Sequence, residues 1–344
     1  MHQSQPRAAG VDASPDTLTR LSRGMDEIAR PRISAVVLNH RTPDDTVLAV
    51  RSLLASNRRA DEIVVVDNDV VESARDATAC FGSDVTYVHT GANRGFSGGV
   101  NVGIRAALDR GADSVLLVNS DVVVSPDCLE RLEQALQDAP SAGIVGPLVA
   151  SQSVPDQIAS LGISYNKRTG RMCQLGVGDR IPLSVAVAPA HLQKSRPVDA
   201  VSACLVLIRR EVFAAVGLFD EDYFFSFEDI DFCQRARQAG FSSIVAERAI
   251  AFHEGGRSLG SASPRRFYFA ARNHLLLASR AAPRSSWAAR VARSTFIVGL
   301  NLAHAAISDG GSLPERISAV VRGTRDFLAG RYGADQIEAP AAPR

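Results

Sequence analysis

Residues 33–66 read ISAVVLNHRTPDDTVLAVRSLLASNRRADEIVVV, and the two ends of this stretch decide the fold. Ile33–Leu38 and Ile63–Val66 are short, β-branched and apolar almost throughout, as strands covered on both faces must be. Between them, Thr42-Pro43-Asp44-Asp45 opens a helix in which Val47, Val50, Leu53 and Leu54 recur at helical spacing. The alternation continues. Val85–Val88 is a third strand, Asn93–Gly99 a Gly-rich turn leading into a helix through Ala106 and Leu108, and Ser114–Val118 a fourth strand. Pro126–Leu136 is then a helix and Ala142–Val149 a further strand. This spacing predicts an α/β fold with a doubly wound, mostly parallel sheet, in which residues 33–150 form a nucleotide-binding half.

Outward from that core the pattern loosens. Residues 151–197 carry Pro, Gly and Ser without clear periodicity and are expected to be irregular, and Val198–Ile208 restores a strand. Asp229–Ala239 is a helix stopped by Gly240, and Ser243–Phe252 a strand ending at His253. Glu254–Pro264 is a flexible polar stretch, and the chain from Arg265 is helical and rich in Ala and Arg, residues 281–344 forming C-terminal helices and a tail. At the other end, residues 1–32 are a loose tail and a short amphipathic helix with Leu18, Leu21, Met25 and Ile28 on one face.

Composition narrows the function. With 344 residues, 46% hydrophobic and 22% charged, the chain has material for a large core and is not intrinsically disordered. A net charge of +1 and 6% aromatics give neither the field nor the stacking surface for nucleic acid. The five cysteines are odd in number and lack C-x-x-C spacing, so neither a disulfide framework nor a zinc site is expected. No secretion signal or spanning segment is evident, which places the chain in the cytoplasm.

Ligands of open α/β sheets bind outside the carboxyl ends of the strands. Here those ends carry Asn39-His40, Asp67-Asn68, Asn93-Arg94-Gly95 and Asn119-Ser120-Asp121. Each Asp or Asn alone reads equally well as a cap for the next helix; four in succession point to a ligand rim. Asp121, at a rigid strand edge, is suited to Mg²⁺ or Mn²⁺, which take oxygen ligands and share substrate phosphates. Gly95-Phe96-Ser97-Gly98-Gly99 opens a helix and can aim backbone N–H groups at phosphates, although it matches neither the dinucleotide nor the P-loop spacing. The stretch GLFDEDYFFSFEDIDFC (217–233) sets five acidic residues, Asp220 to Asp229, among aromatics. Glu228 and Asp229 fall in a first helical turn that favours their ionised form, which makes a general base there plausible chemistry. His253 returns to the same rim, and Arg272 is read either as a phosphate contact or as a surface ion pair.

The ordered set VVLNHR, EIVVVDND, NRGFSGGVNVGI, VLLVNSD, VSACLVLIRR, GLFDEDYFFSFEDIDFCQRARQAGF, AFHEGG and RNH resembles the family 2 glycosyltransferases over roughly residues 33–280, and among them the rhamnosyltransferase-like branch of bacterial polysaccharide and cell-wall enzymes. The resemblance implies a GT-A fold, inversion at the anomeric carbon, a nucleotide-diphosphate sugar donor, best dTDP-rhamnose, and a divalent metal. It implies that Asp67 and Asn39 line the base or ribose pocket with Asn68, and that Asn93, Arg94, Gly95 and Gly98 flank the donor diphosphate and sugar. Asn119-Ser120-Asp121 falls at the family's D-x-D position, with Asp121 and His253 as metal ligands. Asp229 would be the catalytic base, and Glu228 would contact the acceptor, a glycan or lipid-linked saccharide. The sequence departs from the family with Asn119 for an acid, Ser120 for a common Pro and Ala203 for a usual Gly, leaving fewer charges for the metal and a tighter acceptor floor.

In SSWAARVARSTFIVGLNLAHAAIS (285–308), Trp287, Arg290 and Arg293 precede an apolar run that is too short to span a bilayer. Contact with the inner membrane face, packing on the catalytic domain and a homodimer contact all fit it. Two rival functions are a nucleotidyltransferase, which would want a Gly-rich basic loop where NHRTPDD (39–45) stands, and a silent nucleotide- or carbohydrate-binding protein, against which Asp121, Glu228, Asp229 and His253 all speak.

Overall fold

The computed structural model describes residues 30–182, 194–253, 263–282, 285–308 and 311–335, and residues 32–344 form one compact unit. The first elements are β1 (Ile33–Asn39), α1 (Pro43–Leu54), β2 (Glu62–Asp67), the short α2 (Arg75–Thr78), β3 (Thr86–His89), α3 (Gly95–Asp109) and β4 (Ser114–Asn119). Strands β3, β2, β1 and β4 lie side by side and parallel. Every residue of β1 is buried, because its side chains alternate between two cores. Val36 and Leu38 meet Val64, Val66, Val100 and Ile104 on one face, while Ile33, Ala35 and Val37 meet Val50, Leu53 and Leu132 on the other. A strand covered on both faces takes a polar side chain only where a partner meets it, as Glu62 meets Ser34 and Asp67 meets Asn39, hence the nearly continuous apolar run.

Next come β5 (Val122–Val124), α4 (Cys128–Asp138), β6 (Ala142–Ser151), β7 (Ile158–Ser160), β8 (Ile163–Tyr165), β9 (Met172–Gln174), β10 (Ser195–Val198) and β11 (Leu205–Arg209). They are followed by α5 (Arg210–Val216), α6 (Glu228–Gln238) and β12 (Ser242–His253). The main sheet runs β10-β12-β6-β11-β4-β1-β2-β3. It is mostly parallel, and β11 sits antiparallel between β4 and β6. Two expectations need correcting. Residues 151–182 are not irregular but carry three-residue strands, of which β8 and β9 pair apart from the main sheet; runs so short show no periodicity. Val198–Ile208 is not one strand. β10 and β11 are separated in the sheet by β12 and β6, so residues 199–204 must leave it and cross.

Three helices close the described chain: α7 (Pro264–Ala281), α8 (Trp287–Ile307) and α9 (Leu313–Leu328). α7 starts sharply because Pro264 occupies its first turn and the Ser263 hydroxyl accepts from the Arg265 N–H. The N-terminal amphipathic helix and nearly all of the 254–264 stretch fall outside the described residues. Among the described residues all five cysteines are free thiols, and no helix is long and apolar enough to cross a membrane.

Candidate active site

The carboxyl ends of β1, β2 and β4 meet at one rim, as the sheet order requires. Asn39 and Asp67, however, have no exposed surface. The Asp67 carboxylate accepts from Asn39 Nδ2, the Ala74 N–H and the Tyr87 hydroxyl, each at 2.8 Å. Asn39 Oδ1 takes the Thr42 N–H and the Thr46 hydroxyl. Both side chains are bonded inside the protein and neither belongs to the lining of the cavity described below: Asn39 ties the end of β1 to the start of α1, and Asp67 ties β1, β2 and β3 together beneath the rim. Asn68 is the working neighbour. Its Nδ2 donates to the Gly95 carbonyl at 2.8 Å and its Oδ1 accepts from the Arg94 N–H at 3.0 Å, fixing the turn into α3.

That turn borders a cavity of about 90 Å³, walled by His40, Asn68, Asn93, Gly95, Asn119, Asp121, Phe224, Phe225 and Arg265. Asn93 Oδ1 accepts from the Gly95 N–H. Arg94 directs its side chain to solvent, and neither Arg94 nor Gly98 belongs to the lining. Gly95 has φ +71°, and a Cβ there would collide with the Phe224 carbonyl and ring; only glycine fits. His40 and Arg265 were not singled out from sequence as binding residues.

Asp121 stands between this cavity and a second one of about 370 Å³. Its Oδ1 lies 3.2 Å from Nε2 of His253. Burial disfavours a charged imidazole, but the facing Cys204 sulfur and the Asp121 carboxylate outweigh it and push His253 up to about 10. Asn119 Oδ1 is buried at the same rim with no partner. Among the described residues no cluster of three or more His, Cys, Asp and Glu side chains forms. The protein thus offers one carboxylate, one imidazole and one orphaned amide oxygen, a set that fits a hard cation completing its shell with phosphate oxygens and water.

The acidic stretch divides into structural and available carboxylates. Arg280 pairs with Asp220 and with Asp222, the latter at 2.6 Å. Glu221 accepts from Asn101 at 3.0 Å, and Asp231 holds the Tyr223 hydroxyl and Arg235. Three of the five acids expected to do chemistry are therefore braces. Glu228 and Asp229 remain. Glu228 is buried, its Oε2 has no partner, and burial followed by the charge of Asp229 pushes its carboxyl well above the usual range. Asp229 is half-buried. Burial raises it to about 6, against the pull of hydrogen bonds from the backbone N–H groups of Ile230 and Ala203. The crossing segment 199–204, unexpected from sequence, supplies the second of these.

The residues before this pair are strained. Phe224, Ser226 and Phe227 all have positive φ, from 57° to 73°, at a cost of order 1–3 kcal/mol each. Asn273 holds them: its Nδ2 donates to the carbonyls of Tyr223, Phe225 and Ser226 at 2.6, 2.7 and 3.0 Å. Arg272 is fully buried and spends its fork on the carbonyls of Asp222, Tyr223 and Gly333, so it neither meets a phosphate nor forms a surface ion pair. His274 stacks on Phe227 with ring centres 4.9 Å apart and donates to the Gly170 carbonyl at 2.6 Å. Asn273 was missed as a functional residue; the string RNH signalled it, but nothing local reveals a clamp on a loop some fifty residues away.

Beyond Asp229 opens a cavity of about 680 Å³ between β8–β9, α6, α7 and α8, lined by Phe225, Glu228, Asp229, Arg266, His274, Asn301 and His304 among others. Phe225 lines both this cavity and the smaller one at Asp121.

The rim of the mostly parallel sheet thus carries a carboxylate–imidazole pair, and a carboxylate pair lies across the wall at Phe225. The chain belongs to the glycosyltransferase like family 2, whose model matches residues 31–287. It is 27% identical over 222 residues to the low-salt glycan biosynthesis hexosyltransferase Agl10 of Haloferax volcanii, covering 64% of this chain and 66% of that one, just under two thirds of its length. It is 29% identical over 219 residues to the N-acetylglucosaminyl-diphospho-decaprenol L-rhamnosyltransferase of Mycobacterium tuberculosis, covering 61% of this chain and 71% of the relative. Its fold matches that of a mannosyltransferase from Pyrobaculum calidifontis, in complex with GDP-Man and Mn²⁺, with a TM-score of 0.54 over 91% of this chain and 94% of that one at 15% identity.

Proposed function

We propose that the chain transfers a sugar, with inversion, from a nucleotide-diphosphate donor to a hydroxyl of a glycan or lipid-linked saccharide, at the cytoplasmic face of the membrane. The observation that carries this reading is the shared wall at Phe225, with Asp121 and His253 serving the cavity on one side and Asp229 the cavity on the other. A leaving diphosphate and an attacking hydroxyl need such opposed stations. L-Rhamnose from dTDP-rhamnose is the favoured donor, supported by the branch that the motifs resemble and by the mycobacterial relative's name.

Asp229 takes the proton of the acceptor hydroxyl. It is ionised above pH about 6, and its place in the first turn of α6, with the Ala203 N–H on the carboxylate, keeps it oriented. Glu228 accepts from the acceptor through its unpartnered Oε2. On the donor side, Asn68 and Asn93 fix the turn into α3 at the edge of the cavity that Asp121 also lines. A divalent cation, Mn²⁺ or Mg²⁺, held by Asp121 and His253 with the Asn119 oxygen, would neutralise charge developing on the leaving group. The Mn²⁺ in the mannosyltransferase complex supports a divalent cation as such.

The test is the thermal stability of the protein with UDP, dTDP, GDP and ADP, each with and without Mn²⁺. One pyrimidine diphosphate should stabilise the fold in a metal-dependent way, by about 2.7 kcal/mol at roughly 100 times its dissociation constant. No response to any of the four would overturn the donor assignment.

A further inference from the structure

α8 starts at Trp287, the last residue that the family model matches, yet its Leu300, Asn301 and His304 line the large cavity beside Asp229. What α8 adds to that cavity is therefore not given by the family match. The hairpin of β8 and β9 fastens the helix in place. Arg293 donates from Nη1 to the Lys167 carbonyl at 3.2 Å, and Gly170, at φ +78°, lies so close to Ile297 that a Cβ would overlap its side chain. The Gly170 carbonyl also takes the Nε2–H of His274 at 2.6 Å. His274 is buried and stacked on Phe227, the residue before Glu228. Around this one ring the hairpin, α7, α8 and the start of α6 are locked together, and polar groups held by such a frame are preorganised.

Asn301 sits at that junction with half of its amide unused. Its Oδ1 lies 3.4 Å from Nδ1 of His274, and its Nδ2 is buried with no partner. Turning the amide over exchanges its two ends and leaves the same position unfilled. Glu228, which lines the same cavity, is in the same condition at Oε2. A buried polar atom without a partner destabilises the fold. Two of them in the cavity of Asp229 are positions kept for a ligand. The remaining wall is largely apolar, with Phe225, Phe227 and Phe267, so the few polar groups are what fixes a ligand's orientation. A hydroxyl both donates and accepts; it pairs with either end of the amide, and with a carboxyl. A molecule carrying several hydroxyls fits this set.

We infer that Asn301 is a specificity-determining residue of the acceptor site: the free end of its amide hydrogen-bonds a hydroxyl of the acceptor saccharide other than the one Asp229 deprotonates. A site built on such a bond rejects the analogue that lacks the hydroxyl, because its own polar atom is then left buried and unpaired. α8 thereby sets the choice of acceptor and leaves the donor side untouched. This deepens the proposed function and rests on it for the role of the cavity.

The test uses the full-length protein with Mn²⁺, the octyl glycosides of N-acetylglucosamine, galactose, mannose and rhamnose as acceptors, and dTDP-rhamnose, UDP-glucose and GDP-mannose as donors. For the best pair, kcat/KM is compared with that of each monodeoxy analogue of the acceptor, in wild type and in Asn301→Ala. With wild type, one analogue should lose roughly 10–100-fold against the parent. With Asn301→Ala the parent should lose about as much and that analogue nothing further, while the donor KM stays unchanged and the other analogues respond alike in both proteins. Asn301→Ser serves in the same comparison, and the melting temperature of each variant shows that it folds. The wild type alone can overturn the inference: every analogue reacting within about twofold of the parent means that no second hydroxyl is read. A parent rate untouched by Asn301→Ala overturns it too, as does one factor of loss for the parent and all analogues, the mark of a structural role. In each of these cases transfer still occurs and the proposed function stands. Consumption of no nucleotide sugar with any acceptor removes the proposed function, and the inference with it.

Discussion

Replacing Asp229 by Asn should abolish transfer and, at neutral pH, make the protein more stable. Burial raises the Asp229 carboxyl from its ordinary 3.8 to about 6, and at about 1.4 kcal/mol per unit the fold carries roughly 3 kcal/mol against the ionised side chain. Below pH about 4 the group is protonated in both folded and unfolded chains and costs nothing. Between about pH 4 and pH 6 the unfolded chain ionises first, so stability falls as pH rises, and above about pH 6 the whole penalty is present. Asn never ionises. It keeps one oxygen for the Ile230 or Ala203 N–H and gives up the other contact, about 1 kcal/mol, for a net gain of about 2 kcal/mol near pH 8. Removing the Asp229 charge also relieves Glu228, which that charge pushes up, so the pair titrates as one unit and the gain is shared between them. Denaturant unfolding of both proteins at about pH 4 and about pH 8 checks this: the stabilisation should appear only at the higher pH. Transfer should fall by about 10²–10⁴-fold, and the wild-type rate should rise with pH through about 6. A variant that transfers sugar normally, or that is less stable than wild type by the same amount at both pH values, refutes the reasoning.

Three further changes probe the parts around the base. Asn273→Ala removes the donor to three carbonyls of the strained loop; it should cost about 2–3 kcal/mol of stability and lower kcat more than it raises the donor KM, read from denaturation and steady-state kinetics. Gly95→Ala forces a Cβ into Phe224 at a positive φ, which should cost about 2 kcal/mol or more and weaken nucleotide-diphosphate binding in a calorimetric titration. Asp121→Ala should leave the nucleotide response of the melting temperature without its Mn²⁺-dependent part, and an undiminished Mn²⁺ effect would remove Asp121 from the cation site.

What the sequence makes legible follows from how local its causes are. β1 and β2 announce themselves because burial on both faces disfavours polar residues, leaving Ser34 the one polar side chain within Ile33–Leu38 and Ile63–Val66. α6 and Asp229 are legible because an acidic first turn is a local electrostatic preference. β11 misleads because its place between β4 and β6 is a matter of chain crossing, and Val198–Ile208 reads as continuous apolar sequence whether or not the chain leaves the sheet at 199. Asn39 and Asp67 are harder to read. Their position at strand ends is legible, but the bonds that hold them inside the protein come from Thr46, Ser73 and Tyr87, residues that no spacing rule links to them. The braces Asp220, Glu221 and Asp222 look like chemistry until Arg280 and Asn101, far along the chain, are seen to hold them. Asn273 is the extreme case: its three partners have meaning only once the loop is known to be strained.

That strained loop also joins the two halves of the site. The Phe224 carbonyl accepts from the Phe96 N–H at 2.6 Å, and Gly95 packs on the same residue, so the start of α3 on the donor side is fastened to the first positive-φ residue of the loop. Three residues on, Phe227 ends the strained run and Asp229 begins to be available. A shift of the α3 turn when a donor enters the cavity beside it would thus be transmitted through Phe224 to the carboxylate pair, while Asn273 limits how far the loop can give. The strain is held by tertiary bonds from α7 rather than relieved, which is what a site needs if donor and base are to take up their positions together. It follows that Asn273→Ala should uncouple the two: nucleotide binding would survive with the base displaced, a separation that simple loss of folding would not produce.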